Sequence, residues 1–113
     1  MKERDVVLTA IAQADGQRKN RPALLLREMP RYKDFLVCGI STQLQQFIPG
    51  FDEIIQSDDG DFVESGLLQA SLVRLSFLAV VRRSEIVGLL GSISPERHQR
   101  LLSHLSSYSK PSL

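Results

Sequence analysis

Along most of the chain, apolar residues fall into short alternating or continuous runs divided by polar turns; helical spacing shows only near the end. "DVVLTAIA" (5–12) is rich in β-branched residues and predicts a first strand. "QADGQRKN" (13–20) carries an Asp-Gly turn signal and predicts a polar loop of about eight residues. "RPALLLRE" (21–28) predicts a second strand, in which Pro22 is tolerated because a missing N–H costs least near a strand's start. "FLVCGI" (35–40) predicts a third. "STQLQQFIPG" (41–50) closes on a Pro-Gly turn pair, "FDEIIQ" (51–56) predicts a short strand, and "SDDGD" a solvated turn. "FVESGLLQAS" reads as a connection. In "LVRLSFLAVV" (72–81) alternation sets Val73, Leu75, Phe77 and Ala79 on one face and Arg74, Ser76 and Leu78 on the other. "RRSEIVGLLGSI" (82–93) fits either class, because Gly88 and Gly91 weaken both.

The final element is unambiguous. Ser94 is placed to cap a helix, Pro95 suits its first position, and Glu96 lies in its first turn. Leu101, Leu102, Leu105 and Tyr108 follow at helical spacing and form one apolar stripe, before a tail (109–113) that reads as frayed. Short strands plus one amphipathic helix predict a mainly β, α+β fold: a small, mostly antiparallel barrel with a C-terminal helix packed on it, a single domain over 1–113.

A chain of 113 residues can bury a core without staples, and 42% hydrophobic with 24% charged residues excludes a disordered chain. The net charge of +1 hides two segments of opposite sign. Between residues 18 and 33 stand Arg18, Lys19, Arg21, Arg27, Arg31 and Lys33 against Glu28 alone; between 52 and 64 stand Asp52, Glu53, Asp58, Asp59, Asp61 and Glu64. Two solvated loops explain this pattern as well as a binding surface does. Cys38 is the only cysteine, so no internal disulfide forms; its apolar surroundings predict a core position. No apolar run approaches a membrane span, which predicts a soluble cytoplasmic protein without membrane contact.

Enzyme signatures are few. His98 and His104, six apart, point about 120° from each other on a helical wheel and are expected as surface residues rather than an acid–base pair. No H-E-x-x-H, G-x-S-x-G or glycine-rich phosphate loop is present, which argues against a metal enzyme, a serine hydrolase or an NTPase. Arg21 remains, at the root of an apolar strand. A guanidinium forks onto phosphate oxygens and keeps its charge, so a rigidly held arginine suits an anionic ligand or transition state.

In order along the chain come Asp5-Val6-Val7, Arg21-Pro22-Ala23-Leu24-Leu25, Ile40-Ser41-Thr42-Gln43, and Gly66-Leu67 through Ser71-Leu72-Val73-Arg74. Over residues 5 to about 107 this series resembles the PemK/MazF family of type II toxin–antitoxin systems, toxins that act as ribosome-independent endoribonucleases (mRNA interferases). The resemblance implies an SH3-like barrel acting as a homodimer, single-stranded RNA in a groove across the interface, and metal-independent cleavage by 2′-hydroxyl attack. It calls for no cofactor, and it implies a cognate antitoxin whose acidic C-terminal segment competes for the same groove. The family's catalytic arginine falls on Arg21 and its threonine on Ser41, which keeps the hydroxyl. Arg18 and Lys19 would attract the RNA backbone, Thr42, Gln43 and Gln45 would contact substrate, and a late-strand arginine used by some members falls on Arg74. Arg4 stands where the family has glycine, and Arg27 where serine is frequent. The acidic stretch 52–64 would lie away from the groove. Two alternatives stay open on the same barrel: a non-catalytic RNA- or protein-binding module, and a gyrase-directed inhibitor.

Overall fold

The computed structural model describes residues 1–12 and 16–111. A six-stranded antiparallel sheet, curled into a half-barrel, runs in the order β4-β5-β3-β2-β1-β6. The strands are β1 (Asp5–Ala12), β2 (Arg18–Glu28), β3 (Phe35–Ser41), β4 (Glu53–Ile55), β5 (Ser71–Val81) and β6 (Ile86–Ser92). A short helix α1 (Phe62–Ser65) precedes β5, and the long helix α2 (Pro95–Ser109) closes the chain. The expected mainly β fold with a C-terminal helix is the observed one.

Several boundaries differ from the expectation. β2 begins at Arg18, so Arg18 and Lys19 are strand residues and not loop; cross-strand pairing with Ala12 and Ile11 of β1 outweighs their low strand propensity. The segment 82–93 resolves into a 3-10 turn at Arg83–Glu85 and then β6, which gains its hydrogen bonds along β1. The strand expected over 51–56 shrinks to Glu53–Ile55. The connection 62–71 contains α1, and Gly66 ends it in the left-handed region at φ +74°. A Cβ at Gly66 would collide with the carbonyl of Leu90, so glycine is what lets α1 close against β6.

Apolar side chains lie on both faces of the sheet. On one face Val6, Leu24, Leu26, Cys38, Val73 and Leu75 meet Ile93 and Leu101, with Leu102 and Leu105 of α2 packed against them. On the other, Val7, Ala23, Leu25, Phe35, Val37 and Val81 form a second cluster to which no helix contributes. Each fully buried leucine contributes about 1.5–3 kcal/mol. Cys38 is fully buried as expected, and burial, followed by the nearby Asp52 charge, pushes its thiol far above the ordinary range. The Ser94 cap forms as the sequence indicates, its Oγ accepting the Arg97 N–H at 3.1 Å.

β5 departs from simple alternation. Gly39 pairs with Arg74, yet the preceding Cys38 pairs with Leu78, so three residues of β5 stand out of the ladder. An odd offset reverses the faces: Val73 and Leu75 join the first cluster, whereas Phe77 and Ala79 pack on the second. The four do not share one face.

The histidines are half-buried rather than fully exposed. His98 Nε2 lies 2.8 Å from the Leu26 carbonyl and His104 Nδ1 3.0 Å from that of Phe51, so both tie α2 to the body of the fold.

Candidate functional site

A groove of about 760 Å³ opens at the end of the sheet where β2 begins and β3 ends. Arg21, Ser41, Thr42, Gln43 and Arg74 line it together, although they come from three separate segments. Register explains the convergence. Ala23 of β2 and Arg74 of β5 both pair with Gly39, so the three share one rung and one face. Arg21 lies two residues before Ala23 in β2 and Ser41 two residues after Gly39 in β3, where it pairs with Leu72, so alternation keeps both on that face, about 7 Å further along. Two guanidiniums and a hydroxyl thus share one face at one end of the sheet.

Electrostatically the groove is one-sided: among the described residues, two arginines and no carboxylate line it. Arg21 is exposed, and its side chain makes no ion pair or hydrogen bond among the described residues. Arg74 is half-buried, and its Nε is buried without a partner. A buried donor left unpaired costs about 1–3 kcal/mol, so an acceptor arriving from solvent would recover that cost. The Ser41 Oγ accepts the Gln43 backbone N–H at 3.0 Å, which orients the hydroxyl and leaves its own proton to donate elsewhere.

The remaining expected contacts are distributed differently. Gln45 lies outside the lining; its Nε2 donates to Gln43 Oε1 at 2.7 Å, so the two amides hold each other. Lys19 is exposed on the face of β2 that carries Arg21, without lining the groove. Arg18 points the other way and pairs with Glu85 at 2.9 Å. Glu85 is held below the usual carboxylate range by the Arg82 N–H first and then by the Arg82 and Arg18 side chains.

Against this geometry, a family model for PemK-like, MazF-like toxins of type II toxin–antitoxin systems matches residues 2–108. The chain belongs to that family. None of the curated proteins compared with it matches. Among the toxin's described residues, no helix is long and apolar enough to cross a membrane.

Two features of the toxin escape a reading of motifs. Phe77, Leu67 and Gln69 line the groove beside the arginines, and only the β5 offset brings Phe77 there. Arg97 is the other. It is 6% exposed and donates all five of its N–H hydrogens: to both oxygens of Asp61, to Asp59, to Glu53 and to the Ile54 carbonyl, at 2.9–3.2 Å. Asp61 also accepts the Ser94 N–H at 3.0 Å, so the cage locks the start of α2 to β4 and α1. Burial alone would push the Asp61 carboxyl up, but the Arg97 hydrogen bonds, the Ser94 N–H and the Arg97 charge together hold it below the usual range. Much of the acidic stretch is therefore structural: Asp52 and Asp61 are buried, Glu53 and Asp59 bind Arg97, and Asp52 accepts the Leu75 N–H at 2.9 Å. A charged residue at position 97, one turn before Leu101 on the apolar stripe, was the available signal.

Proposed function

We propose that the toxin, acting as a single domain, is a metal-independent endoribonuclease, an mRNA interferase that cuts single-stranded RNA by attack of a ribose 2′-hydroxyl on the adjacent phosphorus. The observation that carries this reading is the pair of guanidiniums, Arg21 without a partner and Arg74 with its Nε unpaired, beside an oriented Ser41 hydroxyl in a groove that no carboxylate lines among the described residues. In-line attack forms the 2′-O–P bond, breaks the P–O5′ bond and passes a proton to the departing 5′ oxygen. Negative charge grows on the phosphoryl oxygens, where a fixed guanidinium stabilises it without reorganisation. Arg21 has too high a pKa to act as a base; its role is to stabilise that charge and donate toward the leaving oxygen. Ser41 donates its free proton to a phosphate oxygen, and the Arg74 Nε–H donates to the neighbouring anion, the acceptor it otherwise lacks. Thr42 and Gln43 contact the nucleotide, while Lys19 and Arg18 draw the backbone toward the groove.

The cognate antitoxin occupies the same groove with an acidic C-terminal segment, because carboxylates satisfy the same arginines. Exposed apolar residues on β5 (Leu78, Val80) and β6 (Val87, Leu89) support a homodimer, and the reading places the toxin in the cytoplasm. The test is incubation of purified protein with single-stranded RNA in EDTA. Products ending in 2′,3′-cyclic phosphate and 5′-hydroxyl are expected; 3′-hydroxyl ends, or no cutting, would refute the mechanism.

A further inference from the structure

Phe77 occupies a place that ordinary strand geometry would not give it. The offset that pairs Gly39 with Arg74 but Cys38 with Leu78 sets residues 75–77 out of the ladder and lays the Phe77 ring over β3. The ring rests on Gly39: a Cβ at that position would lie 3.2 Å from Phe77 Cδ1, and side-chain carbons would fill the space the ring uses. Phe77 packs against the second apolar cluster, yet it remains partly exposed and lines the groove. Arg74 pairs with that same Gly39, and Arg21 and Ser41 line the same groove.

We propose that Phe77 is the nucleobase-stacking platform of the groove, a positioning residue that holds one base flat so that the adjoining phosphate meets Arg21 and Ser41. The inference rests on the ribonuclease reading above. A planar, anchored aromatic face in a positively charged groove is what single-stranded nucleic acid binds through stacking, with its backbone on the cations. Every base offers a π-face, so this contact sets the depth and register of the strand rather than its sequence.

The chain contains no tryptophan, so Phe77→Trp introduces a single fluorescent reporter at the platform. It is titrated with a single-stranded 2′-fluoro RNA analogue, which lacks the attacking hydroxyl, and with the same strand made abasic. Emission is expected to fall by about half or more with the first and to stay within about a tenth of its starting value with the second. In parallel, Phe77→Leu is expected to raise KM for RNA cleavage by about 5–100-fold with kcat within about threefold of wild type. If wild-type protein cuts RNA but emission ignores the bases, or KM does not move, stacking is overturned and the ribonuclease reading stands. If wild-type protein neither binds nor cuts RNA, that reading falls and the platform with it. Should Phe77→Leu fail to fold, the tryptophan titration and the near-normal KM expected of Phe77→Tyr decide the matter.

Discussion

Arg97 and Arg21 carry the same guanidinium into opposite circumstances. Arg97 spends every donor on protein acceptors drawn from β4 and from the turn leading into α1, and it is buried. Arg21 spends none among the described residues, is exposed, and is held by the strand from which it springs. Arg74 lies between the two, half-buried yet with a donor unmet. A cation whose partners are all supplied by the fold has nothing left to offer a ligand. Cations left unsatisfied beside a rigid sheet mark where an anion belongs.

The contrast is sharpest if the two arginines fail in different assays. Arg97→Met keeps the apolar stem but leaves the buried Asp61 carboxylate without its arginine, while Glu53 keeps Arg100. It is expected to cost about 3–5 kcal/mol of stability, read as a lower urea midpoint. Arg21→Ala is expected to leave that midpoint within about 0.5 kcal/mol of wild type while reducing RNA cleavage by about 10²–10³-fold. A large stability loss from Arg21→Ala, or full activity, would erase the distinction. Ser41→Ala removes one charge-directed donor and is expected to slow cleavage by about 10–100-fold, with Ser41→Thr close to wild type; single-turnover rates check both.

Acid probes the cage through Asp61. The Asp61 carboxyl is held below the ordinary aspartate value of 3.8, so its contribution is fully present above that value and drains away as pH falls through the lower, folded-state value. Denaturation midpoints between neutral pH and pH ~3 should therefore decline less in Asp61→Asn than in wild type, although the variant starts lower. The smallest effect concerns the approach of the polyanion. Lys19→Gln is expected to flatten the dependence of log affinity on log salt by about one contact's worth, with little change in the single-turnover rate of bound RNA.

Legibility from sequence tracked the range of the interactions involved. Ser94 and Pro95 announce the helix because a cap acts over three residues, and the helix is found where they place it. Arg21, Ser41 and Arg74 are each visible in a motif, and the structure brings all three to one groove. Arg97 went unnoticed because its partners Asp61 and Glu53 lie 36 and 44 residues away, and no local pattern joins them. The two histidines were misread for a similar reason: each ring nitrogen faces a carbonyl of a distant strand or loop.

By itself the sequence determined the strand-rich half of the chain, the closing helix and the order in which its basic and hydroxyl groups appear, since propensity, alternation and capping act between near neighbours. Only the tertiary structure decided that residues 86–92 would be a strand, that the acids of 52–64 would be enlisted by Arg97, and that β5 would slip by three residues and swing Phe77 over Gly39. Those outcomes depend on which surface a segment meets after the chain has closed on itself, and pairing energy gained across the sheet there overrides what each segment prefers alone.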